Sequence, residues 1–185
     1  MSQKKVLIPL AQGCEEIEAV TLIDLLVRAE IEVVTASLDD NRTITASRGV
    51  QLIAQTTLES VLKTPFDLVV LPGGLPGADH LNKDLRLHQL LKNVLVAGGY
   101  VGAICAAPKV LVSAGLLEGK QATSFPGVID QHPAEGMTYL NEPVVVDGQI
   151  ITSRGPGTAI AFALTLIEML VGAPKRAEVQ AALQI

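Results

Sequence analysis

One potential nucleophile, Cys105, lies in a run of small residues from Gly102 to Pro108, where an apolar segment gives way to a predicted helix. A sharp strand-to-helix turn tolerates only small neighbours and exposes the side chain at its tip. Free backbone N–H groups and the dipole at the start of a helix favour a thiolate. The sequence therefore predicts a reactive thiol whose pKa lies below that of a free cysteine. The alternative is a buried structural cysteine that packs as a small apolar side chain.

Three carboxyl groups, Glu15, Glu16 and Glu18, lie at the start of the first predicted helix. Carboxylates at a helix N-terminus interact favourably with the helix dipole, and this is the preferred interpretation of Glu15 and Glu16. Helical rotation turns Glu18 away from those two residues, and the helix begins at the same edge of the sheet as Cys105. Glu18 is therefore the candidate for a hydrogen bond to the thiol.

Two consecutive glycines, Gly73 and Gly74, follow an apolar strand. Glycine lets the backbone approach a ligand closely, and the N–H of Gly74 can stabilise an oxyanion formed when a thiolate attacks a carbonyl. A tight turn without any ligand is an equally good interpretation of this pair. The three histidines are expected to be solvated: His80, His88 and His132.

The second cysteine, Cys14, follows the first predicted strand, at the same edge of the sheet as Cys105. The preferred interpretation is a packed apolar side chain at the entrance of a helix. In the alternative, Cys14 captures a sulfenic acid formed at Cys105 as a disulfide, which requires Cα atoms within about 7 Å of each other.

Alternating strands and helices must position these groups. Apolar runs and helical spacing predict, in chain order, a strand over 6–10, a helix over 15–29, a strand over 32–37, a hairpin over 43–55, a strand over 66–71, a helix around 87–95, a strand over 100–104, a helix over 107–114, a strand over 121–125, a hairpin over 144–152, and a long and a short helix after 157. The first helix is predicted to bury Val20, Ile23, Leu26 and Val27.

This alternation predicts an α/β fold of the flavodoxin-like, doubly wound kind, with a mainly parallel sheet and small antiparallel hairpins. We expect one domain over residues 1–185. Ligands of such sheets bind beyond the carboxyl ends of the strands. Glycine-rich turns fall at those ends, at Gly13, at 73–74 and at 102–105, so the candidate residues are expected to share one edge of the sheet.

The composition excludes several classes of function. With a net charge of -5, no basic stripe, no Trp and only three Phe and two Tyr, the chain is poorly suited to bind nucleic acid directly. Two distant cysteines indicate neither a disulfide framework nor a zinc site. The apolar segment 6–10 is too short for a signal-peptide core or a membrane span, so a cytoplasmic location is expected.

Four segments together resemble one known family. They are 13–18, 71–74, 103–108 and 152–158, and the combination of Glu15-Glu16-Ile17-Glu18, Ala103-Ile104-Cys105-Ala106 and Ser153-Arg154-Gly155-Pro156-Gly157-Thr158 is highly specific. The sequence is similar over nearly its whole length to the ThiJ/PfpI superfamily, in the branch that contains the Parkinsonism-associated protein deglycase, and most of all to bacterial YajL.

The resemblance implies a homodimer with Cys105 as nucleophile, Glu18 as its protonated partner, and oxyanion donors from the backbone of Gly74 and Ala106. It implies neither a cofactor nor a metal. The implied activities are a glutathione-independent glyoxalase acting on methylglyoxal or glyoxal, and a deglycase that removes early dicarbonyl adducts from proteins and nucleotides. Redox-regulated chaperone behaviour towards unfolded clients, switched by oxidation of Cys105, is the alternative, with little or no turnover.

Two positions depart from patterns within the superfamily. Phe125, in Thr123-Ser124-Phe125-Pro126, occupies the position of a histidine in the best-known member of the branch, and YajL-like sequences share the apolar residue. Phe125 cannot exchange a proton, so a modest catalytic efficiency is expected. Ala106 follows the nucleophile where the intracellular-protease branch has a histidine, which disfavours a protease.

Overall fold

The structure is a computed structural model that describes residues 3–185. The strands are β1 (Lys5–Leu10), β2 (Glu32–Ser37), β3 (Thr43–Thr45), β4 (Gln51–Ile53), β5 (Thr56–Thr57), β6 (Leu68–Leu71), β7 (Tyr100–Ile104), β8 (Gln121–Ala122), β9 (Thr138–Tyr139), β10 (Val144–Asp147) and β11 (Ile150–Ser153). The helices are α1 (Glu16–Arg28), α2 (Leu58–Val61), α3 (Gly77–Lys83), α4 (Leu85–Val96), α5 (Pro108–Ser113), α6 (Ala159–Val171) and α7 (Ala173–Ala182), and a 3-10 turn covers Pro156–Thr158.

Seven strands form the central sheet in the order β10-β11-β7-β6-β1-β2-β5. All neighbours are parallel except β10, which pairs with β11 in an antiparallel hairpin. From β1 the chain moves outward through β2 and β5 and then returns to β6 on the other side of β1. This arrangement confirms the predicted doubly wound fold, and it places the carboxyl ends of β1, β6 and β7 next to one another at the reversal of strand order.

Two apolar cores cover the two faces of the sheet. In β1, Val6 and Ile8 belong to the core that contains Leu22 of α1 and Phe162 of α6. The intervening Leu7 belongs to the other core, with Leu87 of α4. Successive side chains of a strand point to opposite faces, so a strand that is buried on both faces needs a continuous apolar run. This requirement explains the apolar segments that the sequence shows at β1, β6 and β7.

Two predictions about the elements are wrong. Val20 and Val27 of α1 are 45% and 54% exposed, because the helix turns Leu22, Leu25 and Leu26 towards the sheet instead. The strand predicted over 121–125 ends at Ala122, because β8 pairs only with the two-residue strand β9. Among residues 3–185, no helix is long and apolar enough to cross a membrane. The same part of the chain contains no cluster of three or more potential metal ligands.

Candidate active site

Cys105 occupies a strained turn between β7 and α5. Its φ is 63°, in the left-handed region that a residue with a Cβ adopts only at a cost of about 1–3 kcal/mol. Two hydrogen bonds hold this conformation: the Cys105 N–H donates to the carbonyl of Ser153 at 2.9 Å, and the N–H of Phe125 donates to the Cys105 carbonyl at 2.8 Å. The turn is therefore fixed from both sides by neighbouring segments of the chain.

The Glu18 carboxyl is fully buried beside this turn. Its Oε2 accepts a hydrogen bond from the Gly73 N–H at 2.7 Å, whereas Oε1 has no hydrogen-bond partner within residues 3–185. Burial raises the pKa of Glu18 to about 7, against the lowering effects of hydrogen bonds with Gly73 and with the Cys105 thiol. A carboxyl group with this pKa can hold a proton near neutral pH and can give it to a neighbouring atom.

Neighbouring groups shift the pKa of the Cys105 thiol in opposite directions. Hydrogen bonds from the N–H groups of Gly74 and Ala106 lower the pKa of this thiol, but burial and then the negative charge of Glu18 raise it to about 12. The predicted low pKa of Cys105 is therefore wrong. The helix dipole does not compensate, because α5 begins only at Pro108 and Cys105 precedes its first turn.

The cysteine and the carboxyl form a coupled pair. Two adjacent anions repel each other, so the first proton leaves the pair far more easily than the second. Once the pair carries one negative charge, that charge is shared between the Cys105 sulfur and the Glu18 carboxyl. Donors at Gly74 and Ala106 favour the charge on sulfur, and the Gly73 donor favours it on the carboxylate.

Gly73 lets these groups come together. A Cβ at this position would lie 2.7 Å from Cβ of Cys105, 2.8 Å from Oε2 of Glu18 and 2.8 Å from the carbonyl oxygen of Ile104. All three distances are shorter than real side-chain contacts, so only glycine fits. The sequence indicated a close backbone approach at 73–74 in general, but it could not indicate that the approach at Gly73 is to Cys105 and Glu18.

The other two carboxyl groups of the first helix have structural partners. Glu15 is the N-cap of α1, and its Oε2 accepts a hydrogen bond from the Glu18 N–H at 2.8 Å. Glu16 accepts hydrogen bonds from the Ser47 hydroxyl at 2.9 Å and from the Arg48 N–H at 2.8 Å. Glu15 therefore fixes the backbone at Glu18, and Glu16 ties α1 to the loop between β3 and β4.

The histidines contribute no group to the Cys105 turn. His80 and His132 are exposed, and Nε2 of the half-buried His88 lies 2.9 Å from the carbonyl oxygen of Asn82. Cys14 is fully buried and, like Cys105, is a free cysteine.

An open cleft of about 370 Å³ lies next to the segments that hold the Cys105 turn. Its lining is Phe125, Pro126, Pro143, Arg154, Gly155, Pro156, Gly157 and Thr158. Phe125, which is 50% exposed, and Ser153, the residue before Arg154, are the two residues whose backbone groups hold Cys105. The cleft is therefore connected to the Cys105 turn by two backbone hydrogen bonds.

Comparisons with known proteins agree with this geometry. A family model described as the DJ-1/PfpI family matches residues 4–169. Protein DJ-1 homolog A of Arabidopsis thaliana is 42% identical over 181 residues, which are 97% of this chain and 46% of that protein. Glutathione-independent glyoxalase DJR-1.2 of Caenorhabditis elegans is 36% identical over 175 residues, 94% of this chain and 92% of that protein. The crystal structure of Drosophila melanogaster DJ-1beta superposes with a TM-score of 0.94 at 40% identity, covering 100% of this chain and 99% of that one.

This chain spans about half the length of the plant relative and nearly the whole length of the nematode and fly proteins. The segment that matches the family model begins just before β1 and ends within α6, so it includes Glu18, Gly73 and Cys105. The sequence match and the superposition lead to the same conclusion: the chain belongs to the DJ-1/PfpI family.

Proposed function

We propose that this protein is a cysteine-dependent carbonyl-stress enzyme, a glutathione-independent glyoxalase and deglycase that acts on methylglyoxal, glyoxal or their early adducts on proteins and nucleotides. The observation that carries this proposal is the Glu18 carboxyl, which is buried against Cys105 and whose pKa is raised to about 7. A thiolate beside a protonated carboxyl supplies both a nucleophile and a proton donor. The similarity to a relative named as a glutathione-independent glyoxalase supports the same activity.

In the proposed reaction, the Cys105 thiolate forms a bond to the aldehyde carbon of the ketoaldehyde, and Glu18 gives its proton to the aldehyde oxygen. The product is a hemithioacetal. Backbone N–H groups of Gly74 and Ala106, which donate towards the sulfur, stabilise negative charge as the bond forms.

The Glu18 carboxylate then removes the hydrogen from the former aldehyde carbon as a proton and delivers it to the neighbouring ketone carbon. The hydroxyl proton of the hemithioacetal passes to the ketone oxygen in the same step. The first carbon is oxidised to a thioester and the second is reduced to an alcohol, so no external oxidant or reductant is needed. Water hydrolyses the thioester, releases a hydroxy acid and restores the thiolate and the protonated carboxyl. Phe125 supplies no proton to this sequence, which is consistent with a modest rate.

A homodimer in the cytoplasm is part of this proposal, with residues 1–185 as one domain. Exposed apolar side chains on α1 and in the β3–β4 hairpin support a dimer: Ile17, Val20, Val27, Val50 and Ile53 are each at least 45% exposed. Apolar side chains at this density on a surface are typical of interfaces between chains.

The test follows methylglyoxal loss and lactate formation by wild type, Cys105→Ser and Cys14→Ser. Wild type and Cys14→Ser are expected to turn over many equivalents, whereas Cys105→Ser is expected to lose at least about a thousandfold in kcat/KM, as nucleophile removal does in other covalent enzymes. Deglycase activity is measured in a separate assay on early dicarbonyl adducts, from which free aldehyde is removed before the reaction starts. Equal turnover by Cys105→Ser would contradict the proposal.

The second candidate is a holdase switched by oxidation of Cys105. The exposed apolar side chains on α1 and β4 favour it, because they are also a surface for unfolded clients. A holdase gives stoichiometric oxidation of Cys105 and altered client binding without lactate formation. The same assay therefore distinguishes the two functions.

A further inference from the structure

The cleft beside Cys105 contains one charged residue. Arg154 is the only charged side chain in the lining, and none of the lining residues is acidic. Within residues 3–185, Arg154 takes part in no ion pair, and the same is true of Arg42 and Arg48. The guanidinium groups of Arg42 and Arg48 donate to backbone carbonyls, whereas that of Arg154 has no hydrogen-bond partner in this part of the chain. An arginine in the lining of a cleft without acidic residues is available to an anionic ligand.

Hydrogen bonds fix the segment of the cleft lining that contains Arg154. The Arg154 N–H donates to the carbonyl of Pro143 at 3.3 Å. After it, the Thr158 hydroxyl closes the loop: it donates to the Gly155 carbonyl at 2.9 Å, accepts from the Gly155 N–H at 3.1 Å, and lies 2.6 Å from the Ser153 hydroxyl. The segment from Ser153 to Thr158 is therefore held in one conformation before any ligand arrives.

The lining also contains the aromatic Phe125 and the apolar Pro126. Phe125 lies close to the segment that contains Arg154, since a Cβ added at Gly155 would be 3.4 Å from Cδ2 of Phe125. A ligand in this cleft meets both apolar side chains and a cation. Such a surface fits a short carbon chain that ends in a carboxylate or phosphate.

We propose that this cleft selects dicarbonyl substrates that carry a carboxylate or phosphate group, and that Arg154 binds this group while Cys105 attacks the carbonyl. The inference rests on the proposed glyoxalase function and adds a substrate class to it. Neutral methylglyoxal has no anionic group for Arg154 to bind and is therefore a poorer substrate. Arg154 acts on substrate binding, so its removal raises KM more than it lowers kcat.

The first test measures whether Arg154 attracts anions to Cys105, and it does not depend on catalytic turnover. Cys105 is alkylated with iodoacetate, an anion, and with iodoacetamide, its neutral counterpart. We expect Arg154→Gln to lower the ratio of the two rates about fivefold, and Arg154→Lys to lower it less, because lysine keeps the charge without the planar guanidinium. Lys92→Gln, which removes one positive charge from the exposed face of α4, should leave the ratio unchanged. An unchanged ratio in Arg154→Gln would overturn the proposal.

The second test compares the ketoaldehyde dioxopentanoate, whose carboxylate is two methylene groups from the ketone, with its neutral methyl ester. Wild type is expected to favour the acid by about tenfold in kcat/KM, which corresponds to one charge-assisted hydrogen bond. Arg154→Gln should bring the ratio close to one through KM, and Arg154→Lys should retain part of the preference. Thermal unfolding of each variant checks that the fold is intact.

The two tests separate the inference from the function on which it rests. If wild type and Arg154→Gln turn over the acid and the ester with the same ratio, the substrate class is wrong and the glyoxalase function stands. If wild type turns over neither compound while Cys105 is still alkylated, the proposed function is wrong, and the substrate assignment fails with it.

Discussion

Cys14 and Cys105 both follow strands of the central sheet, and burial together with nearby carboxylates raises the pKa of each thiol to about 12. The carboxylate that acts most strongly on Cys14 is Glu16. Although burial acts to raise the pKa of Glu16, hydrogen bonds from its own backbone, Ser47 and Arg48 hold that pKa below its ordinary value. Glu16 therefore stays ionised, and Cys14 stays a thiol.

The carboxyl that acts on Cys105, Glu18, has a pKa shifted in the opposite direction from that of Glu16. Burial raises the pKa of Glu18 to about 7, so the charge that opposes ionisation of Cys105 disappears whenever Glu18 takes up a proton. Hydrogen bonds from the backbone of Gly74 and Ala106 also act to lower the pKa of this thiol. The comparison teaches that the proton affinity of a neighbouring carboxyl decides whether its charge opposes ionisation of a cysteine. That affinity depends on whether the fold supplies hydrogen bonds to the carboxylate.

The largest expected effect is on the pH dependence of stability. Glu18 binds its proton more tightly in the folded than in the unfolded chain, so its stabilising contribution is complete below pH 4.5, its unperturbed pKa, and is lost as the pH rises towards about 7. Glu18→Gln cannot lose a proton. The free energy of unfolding of Glu18→Gln minus that of wild type should therefore increase by about 3 kcal/mol between acidic pH and about pH 8, as measured by urea unfolding.

Glu16→Gln is the matched control, because the same substitution at Glu16 should act with the opposite sign. The folded-state pKa of Glu16 is lowered, so its ionised form contributes stability above its unfolded pKa of 4.5, and this contribution is lost as the pH falls. Glu16→Gln should therefore be less stable than wild type at about pH 8, with a smaller deficit in acid. The comparison fails if both variants shift in the same direction.

The next effect concerns the glycines that border the two cysteines. An alanine Cβ at Gly73 would lie 2.7 Å from Cβ of Cys105, and one at Gly77 would lie 2.6 Å from the backbone nitrogen of Cys14. Both Gly73→Ala and Gly77→Ala should destabilise the fold by about 1–3 kcal/mol through overpacking. Only Gly73→Ala should also lower kcat/KM, by about a hundredfold, because it separates Cys105 from Glu18.

Denaturation curves and methylglyoxal kinetics on the same preparations decide this prediction. Kinetics are measured at a temperature where both variants are folded. A Gly77→Ala protein that loses as much activity as Gly73→Ala would show that activity follows general stability and not the contact at Gly73.

A smaller effect is expected for alkylation of Cys105. At about pH 9, Glu18 is ionised in wild type and opposes the thiolate, whereas Glu18→Gln lacks that charge. Iodoacetamide should therefore alkylate Cys105 about tenfold faster in Glu18→Gln, which corresponds to about one unit of pKa. Cys14→Ala in both backgrounds restricts the signal to Cys105. A slower reaction in Glu18→Gln would mean that the carboxyl promotes the thiolate even when it is ionised.

Much of the fold follows from local pattern. The strands at Glu32–Ser37 and Tyr100–Ile104 have the predicted bounds. In Tyr100–Ile104 the apolar run is continuous because the strand is buried on both faces. Cys105 and Glu18 were also identified as a pair, since parallel strands bring their carboxyl ends to one edge. The sign of the Cys105 pKa shift was wrong, because it depends on burial and on the state of Glu18.

Contacts between distant segments account for what the sequence does not reveal. The low pKa of Glu16 depends on Ser47 and Arg48, which reach it from the β3–β4 loop. The exposure of Val20 depends on which face of α1 meets the sheet. No periodicity within one segment contains this information, because each quantity is a property of two segments in contact.

The smallest expected effect adds a proton-transfer group to the Cys105 turn. The Phe125 N–H donates to the Cys105 carbonyl at 2.8 Å, and its side chain is 50% exposed in the cleft. Phe125→His places an imidazole there, with a pKa near neutral, and general acid–base assistance from a group that has not been optimised should raise kcat about threefold. Stability should change by less than about 1 kcal/mol, because the side chain is exposed.

The gain in Phe125→His should appear in the pH profile as a dependence on an added group with a pKa near 6.5, the ordinary value for histidine. Val96→His, at an 89% exposed position near the end of α4, controls for a histidine elsewhere on the surface. If the imidazole assists Cys105, the profile changes only in Phe125→His. If kcat and its pH profile are the same in wild type and both variants, Glu18 supplies all the proton transfer, and the contrast between Cys14 and Cys105 depends on that carboxyl alone.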